Sequence, residues 1–475
     1  VSERVQTDIC VIGAGSGGLS VAAGAVQMGA KTVLIEKGKM GGDCLNYGCV
    51  PSKALIAAGH AAANARSSGR FGVNGHEPAI DFAAVNDHVH GVIGAIAPHD
   101  SVERFEDLGV QVIPGAARFT GPREVEVNGT RIRAKRFVVA TGSSAAHPPI
   151  PGLKDVPYFT NETVFDLRER PDHLIVIGGG PIGAELAQAH LRLGSRVTLV
   201  EMFKILGKDD PDVTGIVRDR LAEEGIDMLE GVKIVEVAKT GNSVSVTIDT
   251  DGEISTLTGS HLLVAAGRRP NVDGLDLEAA GIEFSPKGVA VDDRLRTTNN
   301  RVFAIGDVAG GYQFTHMAGY HAGIVIRNAL FRLPAKVNYD AVPWVTYTDP
   351  EIAHVGMIEA DARARFGDKI KVLRWSFDGN DRAQAERETD GLIKVVVAKG
   401  GRILGVSIAG SHAGELLMPW ILASSQKLKI GAMAGFIAPY PTLGEVSKRV
   451  AGSYFTPALF GARTRKLVGL LQRLP

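Results

Sequence analysis

The chain is short of cysteine, carries no net charge and has no long apolar run, and each shortage removes a class of protein. Three cysteines in 475 residues cannot build the disulfide framework that holds small secreted domains together. With 52 basic and 52 acidic residues there is no bulk positive field for nucleic acid. No apolar stretch approaches the roughly 18 residues of a membrane-crossing helix, and no signal-peptide pattern opens the chain, so a cytoplasmic protein is expected. The sequence starts at Val1 rather than Met, which leaves an upstream segment open. Its length predicts about three domains, and 58 glycines among 45% hydrophobic residues suit an α/β protein.

The little cysteine present is concentrated. Cys44 and Cys49 stand five positions apart in Gly41-Gly42-Asp43-Cys44-Leu45-Asn46-Tyr47-Gly48-Cys49-Val50-Pro51-Ser52-Lys53. In a regular helix such positions lie about 8–9 Å apart, beyond the roughly 7 Å that a disulfide tolerates. Bridging therefore demands a distorted helix or a loop. Pro51 suits a first helical turn, and residues 51–66 are helix-forming. Cys49 would then sit at the positive helix end, which favours a thiolate and an easily reduced bridge. Zinc sites usually use Cys-x2–4-Cys with a second pair. The remaining cysteine, Cys10, lies in an apolar strand as an inert buried residue, so no resident metal is expected. The pair reads as redox-active.

The chain also contains itself twice. An apolar strand (8–12) leads into Gly13-Ala14-Gly15-Ser16-Gly17-Gly18, an Ala/Val-rich helix and a strand ending at Glu36. Residues 174–201 repeat the plan: strand, Gly178-Gly179-Gly180-Pro181-Ile182-Gly183, helix, and a strand ending at Glu201. Each acidic residue follows its first glycine by 23 positions. Later strands ending at Gly142 and Gly267 match as well. Glycines there let a backbone approach a pyrophosphate lying on a helix N-terminus, and the acidic residue accepts ribose hydroxyls. Two dinucleotides are expected on two Rossmann-like domains. A carboxylate at Glu201 would repel a 2′-phosphate. No arginine follows directly, although Lys204 is near, and NAD(H) is favoured over NADP(H).

The cysteine segment resembles the active site of the class I pyridine nucleotide–disulfide oxidoreductases, the group of dihydrolipoamide dehydrogenase, glutathione reductase and mercuric reductase. Ala140-Thr141-Gly142-Ser143, Ala266-Gly267-Arg268-Arg269-Pro270-Asn271, Phe303-Ala304-Ile305-Gly306-Asp307 and Tyr347-Thr348-Asp349-Pro350-Glu351 resemble family signatures in family order. The resemblance implies an α/β fold of two dinucleotide-binding domains plus a C-terminal α+β dimerisation domain. The expected divisions are 1–145 (FAD, with the dithiol), 146–266 (NAD(P)H), 267–337 (return to the FAD domain) and 338–475 (dimerisation). FAD is implied at Gly13, Gly15, Gly18, Glu36, Lys37, Gly42, Lys53, Ala117, Thr141, Gly142, Ser143, Asp307 and Thr315. The nicotinamide cofactor is implied at Gly178, Gly180, Gly183, Glu201, Val232 and Gly267. Catalytic roles are implied for Cys49 beside the flavin, Cys44 toward substrate, Lys53 with Glu185, and the C-terminal pair Tyr440 and Glu445. The implied electron path runs from NAD(P)H through FAD to Cys44–Cys49 and on to a disulfide or thiolate-bound metal. A homodimer is implied as well.

Two departures bear on the acceptor. Members that reduce organic disulfides carry a His-Pro-Thr-x-x-Glu stretch, whereas this chain reads Tyr440-Pro441-Thr442-Leu443-Gly444-Glu445. Tyrosine titrates near pH 10 and histidine near neutrality, so Tyr440 is a poor general base at pH 7. Mercuric reductases share this tyrosine but usually end in a cysteine pair, and this chain ends Leu474-Pro475. His316 is read as a buried, hydrogen-bonded histidine rather than a substitute base. Residues 450–475 carry Arg463, Arg465, Lys466 and Arg473 and no acid, which suits packing on the partner subunit or weak contact with a membrane surface. The contrasting reading is a redox-sensing or partner-binding flavoprotein with incidental turnover.

Overall fold

Continuous apolar runs become buried parallel strands, as expected where both faces of a sheet are covered. In the computed structural model, which describes residues 4–474, β1 (Arg4–Ile12) pairs in parallel with β2 (Thr32–Glu36) and with strand Thr130–Val139. Gln111–Pro114 extends the sheet beyond β2, and Val302–Ala304 pairs with Thr130–Val139 in parallel. Helix α1 (Ser16–Gln27) follows β1 directly. A second sheet repeats the arrangement, with His173–Ile177 between Arg196–Glu201 and His261–Val264, all parallel. Helix Pro181–Arg192 follows its first strand. An antiparallel five-stranded sheet over Pro343–Gly410 forms the heart of the C-terminal part. The doubly repeated dinucleotide fold with a C-terminal α+β domain is the expected class.

The chain divides into two compact units. One runs to Met202 and resumes over Met228–Asn338; the other holds Phe203–Asp227 and the residues from Tyr339 onward. The sequence-based divisions at 145, 266 and 337 group Phe203–Asp227 with the nicotinamide domain. In the structure a buried ion cluster ties this segment to the C-terminal residues. Lys394 Nζ, 3% exposed, lies 2.8 Å from Asp210, 2.9 Å from Asp212 and 2.7 Å from Glu359. A buried ammonium survives only with such partners, and they bind the helix Pro211–Glu224 to the C-terminal sheet. Nothing in the local sequence pattern signals that.

Pro475, the last residue of the basic tail, lies outside the described residues. Among those described, no helix is long and apolar enough to cross a membrane.

Candidate active site

The cysteine segment folds as two helices separated by a sharp break. Helix α2 (Gly42–Asn46) carries Cys44, the chain turns at Tyr47 and Gly48, and helix α3 (Cys49–Ser67) begins at Cys49 itself. The helix therefore starts two residues before Pro51, which stays within the first turn as expected. Both cysteines are free thiols, Cys44 half-buried and Cys49 exposed. A hydrogen bond from the Cys44 thiol draws Cys49 down to about 6, against its partial desolvation. The Thr315 hydroxyl, 3.5 Å from Cys49 Sγ, and the charge of Lys53 help, while Asp43 opposes them. The same bond, with burial, pushes Cys44 well above the ordinary thiol range. The pair thus divides into a ready thiolate at the N-terminus of a 19-residue helix and a protonated neighbour. Cys10 is fully buried in β1, and burial alone raises its thiol far out of the reactive range.

Two ionic links surround the pair. Lys53, one turn into α3, places Nζ 2.9 Å from Glu185 Oε2 on helix Pro181–Arg192; Glu185 is only 5% exposed. The second link passes through Arg268. Its guanidinium lies 3.1 Å from Asp43, the residue before Cys44, and donates to Ser143 Oγ and to the Ser143 carbonyl, each at 2.8 Å. Ser143 Oγ donates in turn to Asp307 at 2.6 Å. Burial raises the Asp307 carboxyl, opposed by Ser143 and Arg268. Asn161 steadies the other side of Asp43. Arg268 and Asn161 were not among the sequence-derived site residues, although Arg268 lies inside a quoted signature; its partners are far away in the chain.

The two glycine turns agree atom by atom. Gly13 and Gly178 have φ of +104° and +109°, and a Cβ there would meet the Ala140 and Ala265 carbonyl oxygens at 2.4 and 2.5 Å. A Cβ on Gly18 or Gly183 would stand 1.8 Å from the carbonyl oxygen of Gly13 or Gly178. These four glycines are demanded by the fold. The middle pair is different: a Cβ on Gly15 meets nothing nearer than 4.0 Å, and one on Gly180 nothing within 4 Å. Both helices start without a side-chain cap, so their amide groups can take an anion. Glu36 accepts from the Ala14 N–H at 2.5 Å, and Glu201 from the Gly179 N–H at 2.7 Å. Each turn fits a dinucleotide.

The remaining expected contacts fall as follows. Lys37, Thr315 and Gly267 are exposed, while Ala117 and Val232 are buried in apolar clusters. Gly42 approaches the Gly15 backbone so closely that a Cβ would lie 2.7 Å from it. Thr141 and Asn271 exchange side-chain-to-backbone hydrogen bonds at 2.7 and 3.0 Å, and Gly142 takes φ +68°. His316 departs from expectation: it is exposed and lies flat on Phe314, ring centroids 5.2 Å apart. The buried histidine of that helix is His321, whose Nδ1 accepts from the Gly306 N–H at 3.1 Å; desolvation lowers it to about 4.

Tyr440 and Glu445 belong to the C-terminal unit. The Tyr440 ring is exposed, and its hydroxyl donates to Asp381 at 2.8 Å. That bond raises the phenol above its ordinary value of 10. Glu445 opens helix Glu445–Ser453, with Arg449 at 4.0 Å.

The pyridine nucleotide-disulphide oxidoreductase family matches residues 7–322, and its dimerisation domain matches residues 342–451. A mercuric reductase of Bacillus cereus is 37% identical over 441 residues, covering 92% of this chain and 70% of the relative. A dihydrolipoyl dehydrogenase of Geobacillus stearothermophilus is 35% identical over 456 residues, covering 94% and 96%. Among solved structures, the Cu(II) complex of the HOCl-induced flavoprotein disulfide reductase RclA from Escherichia coli superposes with a TM-score of 0.85 at 26% identity, over 94% of this chain and 99% of that one. The free thiol pair, the two matching nucleotide turns and these likenesses agree: the chain belongs to the pyridine nucleotide-disulphide oxidoreductase family, as an FAD-dependent enzyme that oxidises NAD(P)H and carries the family's dimerisation domain.

Proposed function

We propose that this enzyme draws electrons from NADH and delivers them to acceptors that need no thiol proton shuttle, namely thiophilic metal ions held by thiolates and activated disulfides. The observation that carries this reading is the Tyr440–Asp381 hydrogen bond. A phenol that donates to a carboxylate, with its pKa raised, is a poor partner for a thiol proton near neutrality. Soft thiolates select soft metals, and the relatives include a mercuric reductase and a disulfide reductase solved as its Cu(II) complex.

In this proposal Gly13, Gly15, Gly18, Glu36, Ser143 and Asp307 hold FAD, and Gly178, Gly180, Gly183 and Glu201 hold NADH. When bound, FAD relays an electron pair between the nicotinamide and the cysteines. Lys53, fixed by Glu185, keeps a positive charge near Cys49 and so supports its thiolate. Arg268 holds Asp43 and with it the helix that presents Cys44. With an activated disulfide, the Cys44 thiol attacks one acceptor sulfur and passes its proton to the first thiolate expelled; the Cys49 thiolate then attacks the Cys44 sulfur of the mixed disulfide. The second thiol leaves and the Cys44–Cys49 bridge remains. With a divalent metal such as Cu(II), one NADH gives NAD+, a proton and two Cu(I). The enzyme works in the cytoplasm as a homodimer, through the dimerisation domain that carries Tyr440 and Glu445.

The test is an anaerobic comparison of acceptors with the FAD-loaded enzyme, followed by NADH oxidation. Lipoamide is expected to turn over about 10²-fold or more below thiolate-bound Cu(II) or Hg(II) and below an aromatic disulfide, the lower range of what acid–base catalysis supplies. Equal rates with lipoamide would overturn the proposal.

A further inference from the structure

The chain leaves the body of its C-terminal unit at Tyr454. That ring still packs against the apolar core, with the Lys371 ammonium 4.6 Å from its centroid. Beyond it, helices Thr456–Leu459 and Ala462–Leu471 bury no residue. Leu459, Phe460, Leu467, Leu470, Leu471 and Leu474 are each more than half exposed. At 3.6 residues per turn, Leu467, Leu470, Leu471 and Leu474 share one arc of the last helix and its continuation. Lys466 and Arg473 lie along one edge of that arc, Arg463 falls within it at the start of the helix, and Arg465 points away from it. An apolar stripe held in water needs a covering surface.

We propose that this tail seats its apolar stripe in an anionic lipid bilayer, lying in the plane of the headgroups. Two observations favour lipid over a second copy of the chain, and a third sets how the helix lies. The match to the family's dimerisation domain stops at residue 451, and that matched region has exposed apolar side chains of its own, among them Met418, Leu422 and Ile437. From residue 450 to the end there are four basic residues and no acidic one, so two tails laid together would repel, whereas an anionic headgroup layer complements them. A helix of ten residues spans about 15 Å, half the roughly 30 Å hydrocarbon core, so it lies on the bilayer rather than crossing it. Cations beside the stripe reach the phosphates while their stems stay with the leucines.

The test uses the full-length, FAD-loaded enzyme, sedimented with vesicles of phosphatidylcholine alone or mixed with phosphatidylglycerol. Binding to the mixed vesicles is expected to exceed that to neutral ones by at least ~10-fold, since each basic residue near such a surface contributes about fivefold, and to weaken as salt is raised. Lys466→Glu with Arg473→Glu should lower partitioning by ~10-fold or more, and Leu467→Asp with Leu471→Asp should remove it. Both double variants should keep NADH turnover and dimeric mass. Absence of wild-type binding, or equal binding by the variants, would overturn the proposal. Conversion of either variant to monomers would do so too, because the stripe would then belong to the second subunit.

Discussion

The Tyr440 hydroxyl donates a hydrogen bond to Asp381, 2.8 Å away, and the carboxylate holds the phenol protonated well beyond neutral pH. Tyr440→His would supply an imidazole that titrates near pH 6.5. Lipoamide turnover is expected to rise by about 10²-fold, while Tyr440→Phe should lower metal-ion reduction and leave lipoamide as slow as before. Steady-state rates of the three proteins decide it; an unchanged lipoamide rate in Tyr440→His would sink this account of the site.

The thiolate of Cys49 gives the second expectation. Its pKa is drawn from 9.0 to about 6, so the thiolate persists above that pH and is lost as pH falls through it. Long-wavelength thiolate-to-flavin absorption in the reduced enzyme should titrate with that midpoint. Thr315→Val and Lys53→Met each remove a stabilising contact and should move the midpoint upward. Cys49→Ser should abolish the band, and Cys44→Ser should keep a band while ending acceptor turnover. A midpoint near 9 in the wild type would contradict the geometry described.

Glycines of one motif are expected to fail in different ways. Gly180→Ala adds a Cβ with nothing within 4 Å, so the protein should fold and melt normally yet show a raised KM for NADH. Gly183→Ala drives a Cβ to 1.8 Å from a backbone carbonyl and should destabilise by several kcal/mol, in the range of severe overpacking, about 1–3 kcal/mol or more. Thermal melting beside NADH kinetics separates the two; identical behaviour would mean that the middle glycine is not the one left open for the cofactor.

Glu201 accepts from the Gly179 amide at the end of its strand, where its charge opposes a 2′-phosphate. Glu201→Ala combined with Phe203→Arg is expected to shift the NADPH-to-NADH ratio of kcat/KM upward by about 10-fold or more, roughly the 1.4 kcal/mol of one lost repulsion and one gained ion pair. An unaltered ratio would remove Glu201 from the ribose site.

Asp43 and Arg268 make the link that ties the Cys44 helix to Ser143 and Asp307. Arg268→Met leaves two carboxylates without that guanidinium. A loss of about 1–3 kcal/mol is expected, read as a lower denaturant midpoint and as faster release of FAD. Stability and FAD retention equal to wild type would show that the link is incidental.

Some of this was local and therefore legible along the chain. A strand, a glycine turn, a helix and an acidic strand end lie within thirty residues of one another, and steric demand at Gly13, Gly18, Gly178 and Gly183 is met by chain segments of fixed short geometry. The dithiol was legible for the same reason: the paired cysteines lie five residues apart, and Pro51, which cannot sit inside a helix, marks the start of α3 to within two residues. The partners of those residues were not. Thr315 meets Cys49 across 266 positions, Glu185 meets Lys53 across 132, and Lys394 meets Asp210 across 184. His316 and His321 stand on one helix and are alike in sequence, yet one is exposed and the other is buried on Gly306. Burial and charge pairing arise from which distant segments pack together, and only the tertiary structure decides that.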